Sequence, residues 1–228
     1  MDKDETKTVL ITGSSQGIGE ATAYYFAQDG YNVVITYHKE KEKALEVEKK
    51  CKKLGAHSVL VLSLDISDKK QITKALNEVI SKFKSIDVLI NNAGVLHFIS
   101  LSKQSVEDIE EQLRVNLEGT IIMTKLFLPH VKESIINISS SWGKFVDPGA
   151  SVYCATKWGI RGFTQAIALE HPNLNILSVN PGLTATRMVD FEGVAPSKVA
   201  EIIFNAVNKS YQVENGGDID VWEMSKDN

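Results

Sequence analysis

Short apolar runs rich in β-branched residues alternate along this chain with longer segments whose apolar positions recur at helical spacing. Val9-Leu10-Ile11 opens the series as a buried strand. Residues 31–37, 58–64, 86–90, 134–139 and 175–179 read as further strands. Between them, helical patterns begin at Glu20 and cover 38–54, the stretch from Ser67 to about Phe83, 106–131, 151–170 and 197–210. Ser67 is the expected cap of the third helix, and Gly55 stops the second. A short strand at 218–222 completes the series. Repeated strand–helix units predict an α/β fold, a doubly wound parallel sheet with helices on both faces and ligand at the carboxyl ends of the strands. No linker, repeat or low-complexity tract interrupts the pattern, so residues 1–228 read as one domain.

Composition narrows the function classes. At 228 residues, with 43% hydrophobic and 24% charged positions, the chain has the make-up of one large globular domain. A net charge of −4 without a basic block argues against a nucleic-acid partner. No apolar run is long enough to span a membrane, and Met1-Asp2-Lys3-Asp4-Glu5 is too polar for a signal peptide. Cys51 and Cys154 form no disulfide framework, so the expectation is a cytoplasmic protein with free thiols and no metal.

Five strands end in polar residues on the edge where ligands bind. The first delivers Thr12-Gly13-Ser14-Ser15-Gln16-Gly17-Ile18-Gly19, the third Asp65-Ile66 and the fourth Asn91-Asn92-Ala93-Gly94. The fifth delivers Ser139-Ser140-Ser141 and the sixth Asn180-Pro181-Gly182. Strand, glycine turn and helix in that order suit a dinucleotide pyrophosphate: glycines let backbone N–H groups approach phosphate oxygens, and the helix start adds its dipole. The spacing is G-x-x-x-G-x-G. Tyr153 and Lys157 lie four apart and share one face of a helix. A phenol titrates near ~10 and needs its anion stabilised to act as an acid–base catalyst, which a neighbouring ammonium does. A serine from an adjacent strand end is placed to hold the substrate oxygen.

These motifs, with Asn116 in Val115-Asn116-Leu117, together resemble the short-chain dehydrogenase/reductase family over nearly the whole chain. The resemblance implies a Rossmann-type sheet of about seven strands in a domain of about 250 residues. It implies an NAD(P)-dependent oxidoreductase in which Tyr153 is the general acid of carbonyl reduction. Lys157 lowers the phenol pKa and binds the nicotinamide ribose, Ser140 bonds the substrate oxygen with Ser139 the next candidate, and Asn116 distorts its helix and anchors a proton-relay water. Gly13, Ser15, Gln16, Gly17, Ile18 and Gly19 hold the pyrophosphate. Asp65 and Ile66 meet adenine, Asn92, Ala93 and Gly94 the adenine-side ribose region, and Pro181, Gly182, Thr184 and Thr186 the nicotinamide end.

Cofactor choice is set after the second strand, where NAD-preferring relatives carry a carboxylate. Here Tyr37, His38 and Lys39 occupy the place, favouring NADP(H) over NAD(H), although Lys39 also reads as surface charge on the next helix. The resemblance implies a small carbonyl or alcohol compound as substrate. A 3-oxoacyl-thioester reductase, whose acidic carrier protein demands a basic docking patch, is the alternative, with a non-catalytic dinucleotide-sensing regulator as a second. His97, Phe98, Trp142, Phe145 and Val146 are pocket candidates, each with packing as its other reading. Cys154 reads as a small packed residue. Segment 183–196 is a short lid, the family's usual Gly-Gly ending is altered to Asn215-Gly216-Gly217-Asp218-Ile219-Asp220-Val221-Trp222, and the resemblance, which puts Trp158 on the helix of subunit contacts, implies a homodimer or homotetramer.

Overall fold

Runs such as Asn32-Val33-Val34-Ile35 carry apolar side chains on both faces of a strand, which only a sheet covered on both sides can bury. The computed structural model describes residues 6–224, so the polar segment 1–5 lies outside the described residues. Its strands are β1 (Thr8–Ile11), β2 (Asn32–Tyr37), β3 (Ser58–Ser63), β4 (Ile86–Asn91), β5 (Val131–Ile138), β6 (Asn175–Asn180) and β7 (Asp218–Asp220). All pair in parallel, in the order β3-β2-β1-β4-β5-β6-β7. The order reverses between β1 and β4, which opens a crevice at their carboxyl ends.

Helices α1 (Gly17–Gln28), α2 (Lys41–Leu54) and α7 (Pro196–Val207) cover one face. There Phe26, Ala44, Val47, Ile202 and Ile203 pack on Val9, Ile11, Val33 and Ile35. Helices α3 (Lys69–Phe83), α5 (Thr120–Phe127) and α6 (Ser151–Glu170) cover the other. Ile72, Val79, Met123 and Phe127 pack there on Leu10, Leu89 and Ile135. The two remaining helices are α4 (Val106–Leu113) and α8 (Val221–Met224). Among the described residues no helix is long and apolar enough to cross a membrane.

Several boundaries differ from the sequence pattern. The single helix expected over 106–131 is α4, a π-helical turn (Arg114–Gly119), α5 and a short turn (Leu128–His130), with β5 already begun at Val131. The buried residues of the π turn are Asn116 and Gly119, so hydrophobic periodicity does not mark it; Pro129 ends the run. The cap of α3 is Asp68, whose carboxylate accepts from Lys70 N at 2.8 Å, not Ser67. Ser67 instead donates its hydroxyl and its N–H to the Asp65 carboxylate, at 2.7 and 2.9 Å. The last strand stops at Asp220, and residues 221–224 turn into α8.

The π turn brings Gly119 against the chain leaving β3. A Cβ at Gly119 would stand 2.5 Å from Ile66 O and 3.0 Å from Arg114 O, both backbone atoms. Gly119→Ala is therefore expected to destabilise the protein by about 1–3 kcal/mol, as overpacking against backbone does. Urea unfolding checks it, and an unchanged midpoint would show that the β3 exit yields freely.

Candidate active site

The turn after β1 is held from two sides. Gly13 N donates to Thr36 Oγ1 and Ser14 N to Thr36 O, both at 3.0 Å, so β2 fixes one edge. From β4, Asn92 Nδ2 donates to Thr12 O (2.9 Å) and Gly13 O (3.1 Å), while Asn92 N and Ala93 N both donate to Thr12 Oγ1. Gly13 and Gly17 each adopt φ +64°, and a Cβ at Gly13 would lie 3.0 Å from Ala93 Cα. A Cβ on Gly19 would lie 2.6 Å from Asn92 Nδ2, so this glycine seats α1 on the turn. Gln16, at the start of α1, makes no side-chain cap hydrogen bond. The first N–H groups of a twelve-residue helix are thus left facing the crevice, as a bound pyrophosphate requires.

Helix α6 carries Tyr153 and Lys157 into the same crevice, both buried. Lys157 Nζ donates to Ile138 O at 2.9 Å and lies 5.5 Å from the centre of the Tyr153 ring. The adjacent serines divide: Ser139 Oγ donates to Lys157 O at 3.0 Å and is fully committed to the helix backbone. Ser140 Oγ accepts from Trp142 N at 3.1 Å and sits beside the Tyr153 phenol, close enough to lower its pKa. Asn116, in the π turn, clasps one residue of the β4 exit: its Oδ1 accepts from Val95 N and its Nδ2 donates to Val95 O, both at 2.8 Å. Gly94 leaves room there, since a Cβ would come 3.2 Å from Asn116 Oδ1 and 3.7 Å from Lys157 Nζ.

Burial dominates the electrostatics of the pair. It pushes the Tyr153 phenol up to about 12, with the Ser140 hydroxyl pulling the other way. It pushes the Lys157 ammonium down to about 8 from 10.5. Desolvation is the largest influence on both groups, and the Lys157 Nζ is engaged by the Ile138 carbonyl.

The crevice encloses about 1460 Å³, more than the roughly 300–1,000 Å³ of a drug-sized pocket, and so has room for a dinucleotide and a substrate together. Most of the residues named from sequence line it: Gly13, Ser15 to Ile18, His38, Lys39, Asp65, Ile66, Asn92 to Gly94, Ser140, Tyr153, Lys157, Pro181, Gly182, Thr184 and Thr186. Three are placed elsewhere. Gly19 lies beneath the turn, Asn116 is buried behind Val95, and the Tyr37 ring packs against the core layer of α1 and α2. The corner after β2 belongs to His38, whose Nε2 is 3.4 Å from Asp65 Oδ2, and to Lys39.

Lys43 also lines that corner, with Nζ 3.0 Å from Gln16 Oε1 and 3.5 Å from Glu40 Oε2. Its only trace in the sequence is the four-residue spacing from Lys39. Trp142 lines the cleft, whereas Phe98 reaches it only by stacking on Trp142. Phe145 packs beside Trp222, and His97 pairs with Glu111 at 2.7 Å. Val146 is exposed, and Cys154 is buried beside Ala150 and Tyr153. Segment 183–196 folds over the cleft, with Thr184 bridged to Val194 and Arg187 Nη1 2.9 Å from Glu40 Oε1.

Known proteins resemble this chain in sequence and fold. The profile of the short chain dehydrogenase family matches residues 7–194. The 3-oxoacyl-[acyl-carrier-protein] reductase of Staphylococcus aureus is 34% identical over 191 residues, covering 81% of this chain and 77% of that protein. The meso-2,3-butanediol dehydrogenase of Serratia marcescens is 36% identical, covering 82% and 74%. A crystal structure of a short-chain dehydrogenase from Burkholderia cenocepacia in complex with NADP superposes with a TM-score of 0.87 at 29% identity, covering 96% and 97%. The chain belongs to the short-chain dehydrogenases, oxidoreductases that act on CH–OH/C=O groups with NAD(P) as hydride carrier.

Proposed function

We propose that this protein reduces a carbonyl compound with NADPH, with Tyr153 as the general acid. The observation that carries the reading is the meeting of a buried phenol, a strand-end hydroxyl and a buried ammonium in a crevice whose other end is an uncapped, glycine-lined helix start. The cofactor, when bound, supplies the hydride that becomes the new C–H bond. Ser140 holds the carbonyl oxygen, and Tyr153 gives its proton to that oxygen as negative charge develops there. Burial keeps the phenol protonated and ready to donate at neutral pH. Lys157 supports the phenolate left behind until solvent returns its proton. In oxidation the phenolate is the base. Asn116 is a positioning residue in this scheme, fixing Val95 and hence Gly94 beside the ammonium.

Lys39 and Lys43, with His38, favour a 2′-phosphate over a bare ribose hydroxyl at the adenosine corner. A relative solved with NADP supports the same choice. The S. aureus relative supports a second reading, reduction of a carrier-bound 3-oxoacyl thioester. Trp158 and Leu169 stand exposed on α6, which suits the homodimer or homotetramer that belongs to this proposal.

Tyr153→Phe should lower kcat by about 10²–10⁴-fold while NADPH affinity, read by fluorescence titration, stays within about twofold; robust turnover would remove the assigned acid. Lys39→Ala/Lys43→Ala should weaken NADPH by about tenfold or more, the loss of charge-assisted contacts, and NADH far less; equal losses would refute the phosphate role. Between pH 8 and 10.5 the unfolded chain holds a proton on Lys157 that the native state has released, so this lysine adds stability as pH rises through that window. Relative to Lys157→Met, the wild type should therefore gain about 2 kcal/mol between pH 7 and pH 10 in urea unfolding. A pH-independent difference would show that the ammonium is not desolvated.

A further inference from the structure

We infer that the site takes an uncharged carbonyl compound bearing an aromatic or similarly flat apolar group, and not a carboxylate or a phosphate-bearing carrier thioester. The inference rests on the reductase reading and names its substrate class. It stands on two independent features of the cleft around Tyr153.

The first is an aromatic path to the reacting phenol. The Phe98 ring stacks on Trp142 with centroids 5.6 Å apart and planes 13° from parallel, and Trp142 meets Tyr153 edge-on at 5.9 Å. Trp142 and Leu96 line the cleft on this side, and Leu183, Met188 and Phe191 line it from segment 183–196. Leu183, Met188 and Phe191 are exposed, Phe191 to 70%. Large apolar side chains facing water around a catalytic group mark the surface a ligand covers. The flat walls favour a ring, which stacks on them.

The second is charge. Helix α4 contributes Glu107, Glu110 and Glu111 to the lining. Beside this wall Arg114 lies 3.1 Å from Glu110, and the His97 ring bonds Glu111 at 2.7 Å. Across the cleft Arg187 is paired with Glu40, and behind Trp142 Lys144 is paired with Asp220. Lys39 and Lys43 stand at the adenosine corner, and Lys157 is held by the Ile138 carbonyl. A carboxylate, a coenzyme A thioester or an acidic carrier protein thus meets three glutamates against one arginine among the lining residues that α4 and the turn after it contribute, on a chain of net charge −4. A neutral ketone pays no such penalty.

The test uses four ketones and the intact enzyme with NADPH: ethyl 3-oxobutanoate, its free acid, acetoacetyl coenzyme A, and ethyl 3-oxo-3-phenylpropanoate. At pH 7, kcat/KM should fall at least tenfold from the ethyl ester to the acid and to the coenzyme A thioester. It should rise from the methyl to the phenyl ketone, although the aryl ketone is the less electrophilic. Glu107→Gln/Glu110→Gln should narrow the ester-to-acid ratio at least threefold, and Trp142→Ala should remove the phenyl advantage. Acid or thioester reduced as well as the ester, or a ratio unmoved by the charge variants, overturns the inference and leaves the reductase standing. Reduction of none of the four, with NADPH binding confirmed by thermal shift, overturns the reductase reading and the inference with it.

Discussion

A buried ammonium must find an acceptor, and in this protein the acceptor is the backbone of the central sheet. Lys157 Nζ reaches the Ile138 carbonyl at the last residue of β5, and this hydrogen bond sets where α6 lies against the strand ends. Ser139 fastens the same helix from the next residue, donating to the Lys157 carbonyl, so side chain and backbone of one lysine are gripped by consecutive residues of one strand exit. With helix and strand locked in register, Ser140 has one place to go, beside the phenol. The desolvation that makes Lys157 a reluctant cation is the same desolvation that makes Tyr153 a reluctant anion.

The fold was legible because its signals are local. Strands read from β-branched runs, and α6 spans Ser151–Glu170 as the periodicity predicts. The glycine turn was legible because φ > 0 and close backbone approach demand particular residues at particular places. The π turn at Arg114–Gly119 was not legible from periodicity, since the buried positions through it, Gln112, Asn116, Gly119 and Thr120, are polar or glycine and leave no apolar mark. It came only through the resemblance that singled out Asn116. Lys43 was hidden for another reason: a lysine on a charged helix is ordinary, and only the docking of α2 beside Gln16 gives it a site. The preference for Ser140 over Ser139 came from the resemblance, and the hydrogen bond that commits Ser139 to the Lys157 carbonyl needed the helix in place.

Charges of both signs line the cleft. At the corner after β2, Lys39 and Lys43 stand beside Glu40 and Asp65, whereas α4 presents Glu107, Glu110 and Glu111. A lysine there can turn from its carboxylate to an arriving phosphate, so the corner gains its preference for anions from exchange of partners and not from a surplus of charge.

The altered chain ending has a structural counterpart. Asp218 accepts from Arg161 at 2.6 Å, and Asp220 accepts from Lys144 at 2.6 Å. Asn180 donates to both carboxylates, and Arg161 also donates to Gly143 O at 2.7 Å. These contacts tie the loop after Ser140, the catalytic helix and the last strand into one polar knot. A largely desolvated ion-pair cluster contributes little net stability, because desolvation offsets much of the attraction, but it admits few alternative geometries. Its placement follows from that property: the loop it immobilises is the one that carries Trp142 and backs Ser140, where a shift of an ångström would separate the hydroxyl from the phenol.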